Sequence, residues 1–379
     1  MVSGTATLVV DLGNSETRVT TKYGVTGKGK PRERTVILSN RFGAMPEDKV
    51  QVYLNTEIYT EEDSSIFKYE GDTYCNGAIC DTEFGATTYR PTALEKKYES
   101  FVTKLTLINA FKQGYETIGY FTDCELNSID VSWNVTLLLP PEDVDTGAKK
   151  LAEMVRSISS IDFSMPNLKR DIVIDNVTIF PEGFCAYMGV LLESKSKVRS
   201  GYAYLADPDT YTLIIDIGAG TSDFVLAKGN QIINSSRFTK EIGGNNVHQR
   251  VRRFLKNKGI VLSDAIIRKG CETGEIKSGS KLYDIKEEIA QAKNDVSKQL
   301  VDAVQEFFED NMLPIKMINN ILVCGGGAES SDGIDPISDY IVDFMTRLSP
   351  DVKLVDLPVI DGAKVSSRML NILGASILS

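Results

Sequence analysis

The sequence predicts an α/β protein of two lobes, each with helices packed on a sheet. The chain has 379 residues, more than one ordinary domain holds and suitable for two of middling size. Apolar, β-branched segments alternate with segments whose apolar residues follow helical spacing. One pattern occurs twice, at 8–19 and at 213–226: an apolar strand that ends in aspartate, a glycine-containing turn and a second strand. This repetition predicts a duplicated fold.

The pattern of apolar residues, glycines and prolines places the main elements along the chain. In the first half we expect strands over 5–10, 16–23 and 129–139, helices over 93–115 and 143–158, an exposed turn over 24–34, and short strands and loops over 45–92. In the second half we expect strands over 171–180, 212–215, 221–227 and 318–324, and helices over 181–192, 243–256, 285–308 and 365–378. Pro181 suits the first turn of its helix.

Composition and charge make several classes of function improbable for this chain. The formal net charge is −10, with 42% hydrophobic and 25% charged residues, so the chain has globular composition and is a poor default binder of nucleic acid or anionic membranes. We expect no signal peptide and no membrane-spanning segment, and therefore a cytoplasmic protein. Six scattered cysteines without a CxxC pair and a single histidine argue against a zinc site or a disulfide framework.

The first motif with chemical content is Asp11-Leu12-Gly13-Asn14-Ser15-Glu16-Thr17-Arg18. A glycine and short polar residues at a hairpin bend leave backbone N–H groups free to bind phosphate oxygens. Asp11 at the strand end suits a magnesium ion held through water, Ser15 offers a hydroxyl, and Arg18 adds positive charge if it turns inward. Taken alone, the motif favours an ordinary β-turn over a phosphate site.

The second motif is Asp216-Ile217-Gly218-Ala219-Gly220-Thr221-Ser222-Asp223. Gly218 and Gly220 allow the backbone to approach a ligand where a side chain would clash. Thr221 supplies a hydroxyl, and Asp216 supplies a second carboxylate for a metal ion or water. A purely structural hairpin rarely needs this combination, so the motif favours a binding function.

Two further segments add to the set. The strand 321–324 runs into Gly325-Gly326-Gly327, which presents a flat backbone surface suited to a sugar or base. It is neither a Walker loop nor a Rossmann turn. In the segment 180–189, Glu182 follows a strand at the start of a helix, where a carboxylate can orient a water; a glutamate favoured by the helix dipole explains the same position.

Together these motifs resemble the superfamily of actin, sugar kinases and heat-shock chaperone ATPases. Residues 11–18 are similar to its phosphate 1 motif, 180–189 to connect 1, 216–223 to phosphate 2, 323–329 to the adenosine motif and 371–375 to connect 2. They occur in the superfamily's order and span nearly the whole chain. The resemblance implies an actin-like (ribonuclease H-like) two-lobed fold, with mixed five-stranded sheets flanked by helices and a nucleotide cleft between lobes. Lobe I would comprise 1–183 plus 365–379, and lobe II 184–364.

The resemblance also implies roles for particular residues. Asp11 and Asp216 would bind the magnesium shell, and Glu182 would polarise the attacking water. The nucleotide, ATP with GTP as an alternative, would contact residues of four turns: Gly13, Asn14, Ser15 and Arg18; Gly218, Gly220 and Thr221; Gly243, Gly244 and Asn245; Gly325, Gly326 and Gly327. Lys286 and Lys293 are candidates for the adenine side. The superfamily often has lysine at position 18 and glycine at position 14, so these side-chain contacts differ here.

Within the superfamily the chain is most similar to ParM-type bacterial actins. It has actin-like length, with no room for a chaperone's peptide-binding domain and no amphipathic membrane tail. This likeness implies an ATPase that self-associates into filaments and reaches plasmid DNA through an adaptor protein, without a membrane partner. Three alternatives remain open: an archaeal or phage-borne actin, a small-molecule, sugar-type kinase of the same superfamily, and a scaffold that assembles with nucleotide without hydrolysing it.

Overall fold

The fold comes from a computed structural model, which describes residues 1–379 except 28, 30, 47, 51–63, 82–87, 90–94, 164–167 and 330–334. The chain divides into two compact units. Unit 1 comprises Met1–Leu139, Asp143–Pro181 and Ser379, and unit 2 comprises Pro140–Glu142 and Glu182–Leu378. Each unit has its own sheet and its own hydrophobic core, and each is described separately below.

Among the described residues, unit 1 contains eleven strands, a helical segment at 48–50, and two helices whose full bounds the structure describes. The strands are β1 (Val2–Leu12), β2 (Glu16–Val25), β3 (Pro31–Ser39), β4 (Phe42–Ala44), β5 (Ser64–Tyr69), β6 (Asp72–Gly77), β7 (Thr88–Tyr89), β8 (Ile129–Leu139), β9 (Ser160–Asp162), β10 (Lys169–Asp171) and β11 (Val173–Pro181). The helices are α1 (Phe101–Thr122) and α2 (Val144–Arg156).

The main sheet of unit 1 has the strand order β11-β8-β1-β2-β3. It is mixed, because β1 runs antiparallel to β2 and parallel to β8, which is in turn parallel to β11. A second sheet has the order β10-β9-β5-β6-β4-β7. The core of the unit lies between the main sheet and α1, where Phe111 and Tyr115 meet the fully buried ring of Trp133 edge-on.

Unit 2 contains twelve strands and six helices in the part of the chain that the structure describes. The strands are β12 (Leu192–Ser194), β13 (Lys197–Val198), β14 (Tyr211–Ile217), β15 (Ser222–Lys228), β16 (Gln231–Ile232), β17 (Phe238–Lys240), β18 (Glu275–Ser278), β19 (Lys281–Asp284), β20 (Asn320–Cys324), β21 (Lys353–Leu354), β22 (Val359–Ile360) and β23 (Ala363–Lys364). The helices are α3 (Phe184–Leu191), α4 (Gly244–Asn257), α5 (Asp264–Thr273), α6 (Lys286–Asp310), α7 (Ile337–Leu348) and α8 (Leu370–Leu378).

The main sheet of unit 2 repeats the plan of unit 1. Its order is β16-β15-β14-β20-β21, with β17 also paired to β15. The hairpin β14–β15 is antiparallel and β20 is parallel to β14, as β2 and β8 are to β1. Side chains alternate between the two faces of the sheet: Leu213 and Ile215 belong to one buried cluster and Ile214 to another. Such a sheet, apolar on both faces, explains why β14 reads as a continuous apolar run.

The predicted strands of the two repeated hairpins are confirmed, as are the strand over 129–139 and the long helix over 285–308. Three helix starts differ from prediction. The helix expected over 93–115 begins at Phe101, where Ser100 caps it by accepting a hydrogen bond from the backbone N–H of Thr103. The closing helix begins at Leu370 instead of residue 365, since 363–364 form β23 and a 3₁₀ turn follows. The third difference, at Pro181, is described with the site.

The closing helix also belongs to a different unit from the one predicted. The sequence assigns 365–379 to lobe I, whereas residues up to Leu378 group with unit 2 because α8 packs on α3. The chain passes from unit 1 to unit 2 between Pro181 and Glu182, two residues before the predicted boundary at 183. No helix in the described parts of the chain has the length and apolar character to cross a bilayer.

Candidate functional site

The turn of the β1–β2 hairpin in unit 1 brings Asp11 and Arg18 together. The two residues are directly opposite in the antiparallel register, and both are buried. One guanidinium nitrogen of Arg18, Nη1, lies 3.5 Å from Asp11 Oδ2, and Nη2 lies 3.5 Å from Glu16 Oε2. Arg18 has therefore turned inward, as its assignment to a phosphate-binding role requires.

Arg18 also retains hydrogen-bonding capacity. Its Nε is buried and has no hydrogen-bond partner among the residues that the structure describes. A buried donor without a partner costs free energy, on the order of 1–3 kcal/mol, and guanidinium groups match phosphate oxygens well. The unsatisfied donor fits a phosphate group at this turn.

The same turn is held by Asn40, which belongs to none of the motifs found in the sequence. The Asn40 side-chain amide donates to the carbonyl of Gly13, and its Oδ1 accepts from Thr17 Oγ1 at 2.8 Å. Its backbone N–H donates to the carbonyl of Ser15 at 3.1 Å. Gly13 itself is required sterically, because a Cβ there would lie 2.3 Å from the Glu16 carbonyl oxygen. Asn40 is buried and fixes the path of the turn.

In unit 2 the β14–β15 turn packs directly against the start of α4. The Gly244 N–H donates to the carbonyl of Gly218 at 2.9 Å, and the Asn245 N–H donates to that of Ala219 at 2.7 Å. A Cβ on Gly243 would lie 2.7 Å from the Gly218 oxygen. Gly220 is different, because a Cβ there would meet no described atom within 4 Å. Packing therefore does not require a glycine at position 220.

The triglycine turn after β20 also packs against this hairpin. Gly325 has φ 89°, and a Cβ on it would lie 2.4 Å from Asp216 Oδ1 and 2.4 Å from the Ile217 carbonyl oxygen. A Cβ on Gly327 would lie 2.5 Å from Ile217 Cγ2, and Gly244 also lies against Gly327. The glycines of the three predicted turns of unit 2 thus form one continuous backbone surface beside the Asp216 carboxylate.

Asp216 is joined to the start of α3 through one buried side chain, Asn371 on α8. The Asn371 Nδ2 donates to Asp216 Oδ2 at 2.5 Å. Its Oδ1 accepts from the backbone N–H groups of Gly183 at 3.0 Å and Ala186 at 3.1 Å. These N–H groups belong to the first turn of α3, which has no helical partner for them. The sequence placed Asn371 in the connect 2 motif but gave it no role.

Glu182 stands just before α3, not within its first turn as predicted. β11 ends at Pro181, so this proline is the last strand residue and not the first helical one. Gly183 follows with φ 70° as the residue before the helix, which begins at Phe184. The positive φ of Gly183 breaks the path between strand and helix and leaves Glu182 at the turn. Glu182 therefore lies at the turn between strand and helix, beside Gly183, whose backbone N–H donates to Asn371 Oδ1.

α3 and α8 cross at two glycines. A Cβ on Gly374 would lie 1.7 Å from the Cys185 carbonyl oxygen, and a Cβ on Gly189 would lie 2.7 Å from the Leu370 carbonyl oxygen. The two helices therefore touch backbone to backbone. This contact fixes Asn371 relative to the first turn of α3.

Glu329, at the end of the predicted adenosine motif, anchors the segment that precedes α8. Its Oε1 accepts from Ser366 Oγ, from Ser367 Oγ at 2.9 Å and from the Arg368 N–H at 3.2 Å. Ser367 also bonds the Gly325 carbonyl at 3.1 Å. Burial raises the pKa of Glu329, but the hydrogen bonds from Ser366, Ser367 and Arg368 outweigh it, so the pKa lies below its ordinary value.

This lowered pKa predicts a pH-dependent contribution to stability. A carboxylate with a lower pKa in the folded state stabilises it above the unfolded pKa, about 4.3 for glutamate, and loses this effect as the pH falls through the folded value. The urea midpoint of the wild type should exceed that of Glu329→Gln at pH 6–7, and the difference should shrink below about pH 4. A pH-independent difference between the two proteins would contradict this assignment.

Lys293 and Lys286, the candidates for the adenine side, contact other parts of unit 2. Lys293 is buried, donates to the Asp335 carbonyl at 2.8 Å and has a pKa lowered by its burial, so it braces the segment before α7. Lys286 begins α6 and its chain packs over Gly274. A cavity of about 260 Å³ adjoins Glu329 and the start of α7, and no described residue of α6 lines it.

The site's chemistry fits a magnesium ion bound through water. No cluster of three or more histidine, cysteine, aspartate and glutamate side chains is placed to hold a metal directly in the described parts of the chain. Mg²⁺ does not need one, because it usually keeps several waters and takes one or two carboxylates besides phosphate oxygens. Asp216 in unit 2 and Asp11 in unit 1 are both buried carboxylates at strand ends.

The structure thus places the predicted residues in two sets. Unit 1 holds Asp11, Gly13, Asn14, Ser15 and Arg18 on one hairpin turn. Unit 2 brings together Glu182, Asp216, Gly218, Gly220, Thr221, Gly243, Gly244, Asn245, Gly325, Gly326 and Gly327. Asn40 and Asn371 are the residues that hold each set in place.

Comparison with known proteins agrees with this architecture. Residues 214–332 match the family model described as "Archaeal actin homologue MreB-like, C-terminal". At the level of sequence, no curated protein matches the chain. Among solved structures, the actin-like protein Alp7A superposes with a TM-score of 0.68 at 15% identity, covering 99% of this chain and 96% of that chain.

Two further structures show the same likeness. The archaeal actin homologue Ta0583 in complex with ADP has a TM-score of 0.65 at 15% identity, over 99% of this chain and 98% of that one. The ParM of a 15-stranded filament from Clostridium botulinum has a TM-score of 0.65 at 18% identity, over the same shares.

The chain therefore has the actin-like fold, with two α/β units built on mixed sheets. The predicted likeness to the actin-like superfamily is confirmed, and ParM proteins are among its structural neighbours.

Proposed function

We propose that the chain is an ATPase of the actin-like type that polymerises into nucleotide-dependent filaments and serves plasmid DNA segregation. The observation that carries the proposal is the arrangement in unit 2, where three glycine turns surround a buried aspartate that one amide ties to the Glu182 turn. The likeness to a ParM filament and to an ADP-bound actin homologue supports it.

The residues have distinct parts in this proposal. The backbone of Gly218–Gly220 binds phosphate. Gly243–Asn245, at the start of α4, lie on the ribose side and support the phosphate turn by donating to the carbonyls of Gly218 and Ala219. Arg18 and Ser15 bind phosphate at the unit 1 turn. Glu182 accepts a hydrogen bond from the attacking water and aligns it. Asp216 and Asp11 hold the water shell of magnesium, which when bound neutralises charge on the phosphates.

Filament formation follows from head-to-tail contact between copies. A contact of this kind that does not close into a ring produces an open filament. Loss of the γ-phosphate removes contacts at the glycine turns, so hydrolysis weakens the filament. With a net charge of −10, the chain reaches DNA through an adaptor protein and not by direct binding to phosphate.

A sedimentation assay tests this function. At micromolar protein with Mg²⁺, we expect pelleting with ATP or a non-hydrolysable analogue and none with ADP, with GTP run in parallel as the alternative nucleotide. Asp216→Ala should lose both Mg²⁺-dependent nucleotide binding and pelleting. Its matched control is Asp209→Ala, on an exposed turn before β14, which should pellet like the wild type.

The same assay separates the alternatives. A protein that stays in the supernatant with every nucleotide, while a sugar stimulates its ATP turnover, would identify the small-molecule kinase. Pelleting with ATP without phosphate release would identify a non-hydrolysing scaffold. Negative-stain electron microscopy of the pellet distinguishes filaments from amorphous aggregate.

A further inference from the structure

The side-chain amide of Asn371 links two segments of unit 2, the end of β14 at Asp216 and the turn that follows Glu182. It lies on the first turn of α8, is buried, and makes hydrogen bonds to Asp216, Gly183 and Ala186. Asp216 ends a central strand, and Gly183 immediately follows Glu182. These two segments lie far apart in sequence and meet at this amide.

The orientation of the amide is fixed by chemistry. Two backbone N–H groups face one end, so that end must be the oxygen, and a carboxylate faces the other end, so that end must be the nitrogen. The flipped amide would oppose donor to donor and acceptor to acceptor. Among uncharged side chains that need no added proton, asparagine has the size and the acceptor and donor ends that this position requires.

The backbone around Asn371 leaves it little freedom. The glycine crossing of α3 and α8 brings Gly374 within van der Waals contact of the Cys185 carbonyl, so α8 cannot slide along α3 without a clash. On the opposite side of Asp216, Gly325 lies so close that a Cβ would overlap the carboxylate. The carboxylate of Asp216 therefore has Asn371 at one oxygen and the Gly325 backbone at the other.

We propose that Asn371 is a positioning residue that holds the Asp216 carboxylate in register with the Glu182 turn, and so sets the affinity of the site for magnesium. The inference rests on the proposed ATPase function. Groups that orient a metal-binding side chain commonly change metal affinity by roughly 10- to 100-fold when replaced. Asn371 reaches Asp216 directly and the Glu182 turn through Gly183.

The substitution Asn371→Asp tests one arm of this arrangement. The introduced carboxylate still accepts from the Gly183 and Ala186 N–H groups, but it replaces the donor to Asp216 with a like charge. We expect the Mg²⁺ concentration for half-maximal ATP hydrolysis to rise roughly 10- to 100-fold, measured well below the melting temperature. The matched control is Asn319→Asp, since Asn319 Oδ1 accepts from the Tyr211 N–H at the opposite end of β14; its Mg²⁺ dependence should equal that of the wild type.

A double variant, Asp216→Asn with Asn371→Asp, exchanges donor and acceptor. It re-forms the hydrogen bond, so its melting temperature should return toward that of the wild type. Mg²⁺-dependent hydrolysis should nevertheless be lost, because the carboxylate now lies at position 371 and not at 216. If Asn371→Asp fails to fold, this double variant carries the test. A double variant that also fails to fold overturns the proposed hydrogen-bond geometry.

Two other results would overturn the proposal. A lower melting temperature of Asn371→Asp with unchanged Mg²⁺ dependence would show a structural role alone. Recovery of hydrolysis in the double variant would show that Asp216 need not be positioned. A wild-type protein without Mg²⁺-dependent hydrolysis would instead refute the proposed function, and the positioning role with it.

Discussion

Replacing Glu182 with alanine is expected to preserve ATP binding and to slow hydrolysis by about 10²–10⁴-fold, the usual contribution of a general base. Phosphoryl transfer requires the enzyme mainly to position groups and stabilise charge, so losing the water-orienting carboxylate should lower turnover without removing the phosphate contacts. In the proposed function those contacts come from the backbone of Gly218–Gly220, which the substitution does not alter.

The measurement is phosphate release in a single turnover, together with ATP affinity from nucleotide-dependent melting. Glu193→Ala is the matched control, since Glu193 lies nearby in sequence on the exposed strand β12 and pairs with Lys197; it should hydrolyse ATP at the wild-type rate. Wild-type hydrolysis by Glu182→Ala would remove Glu182 from the mechanism. Slower hydrolysis with equally weakened ATP binding would indicate a binding role instead.

A filament assay adds an independent consequence of the same substitution. If hydrolysis sets filament lifetime, Glu182→Ala should still pellet with ATP and should remain pelleted after the time at which wild-type filaments have disassembled. The proposed link between hydrolysis and disassembly would be wrong if both proteins disassembled at the same rate.

The two repeated hairpins were predictable because their signal is local. Apolar, β-branched residues that run into an aspartate and a glycine turn specify strand, turn and strand within about a dozen residues, and both hairpins formed as expected. The triglycine turn was predictable for the same reason. Each of its outer glycines proves to be required by contact with the β14 end, as a run of three glycines suggests.

The residues that hold these turns were not predictable, because their partners lie far away in sequence. Asn40 follows a strand with no motif around it, and it binds the turn at Gly13. Asn371 bonds groups more than 150 positions away. A single asparagine carries no periodicity and no spacing, so composition and pattern give it no weight until the fold places its amide between a donor pair and a carboxylate.

The errors at helix starts have a common physical origin. Apolar spacing continued from 93 through the segment before α1, yet the helix begins where Ser100 supplies a cap. Pro181 is compatible with both a strand end and a first helical turn, and the positive φ of Gly183 decides between them. The resemblance to the superfamily placed the closing helix in lobe I, whereas residues up to Leu378 group with unit 2, where Gly374 packs against α3.

The second substitution with a large expected effect is at Gly325, which lies against Asp216. Gly325→Ala should destabilise unit 2 and displace the Asp216 carboxylate, because the added Cβ would lie 2.4 Å from Asp216 Oδ1 and 2.4 Å from the Ile217 carbonyl oxygen. The carbonyl is backbone and cannot rotate away, so the carboxylate or the turn must move. Either movement disturbs the Asn371 hydrogen bond, and Mg²⁺-dependent ATP binding should be lost along with stability.

Gly362→Ala separates this clash from the cost of backbone conformation. Gly362 has φ 83°, close to the 89° of Gly325, but a Cβ on it would meet no described atom within 4 Å. Both substitutions carry a strain of about 1–3 kcal/mol for a positive φ, while overpacking adds about 1–3 kcal/mol at Gly325 alone. Urea midpoints should therefore fall further for Gly325→Ala, and nucleotide-dependent melting shifts should vanish for it while persisting for Gly362→Ala. Equal losses in the two variants would mean that Gly325 is needed for its φ and not for its contact with Asp216.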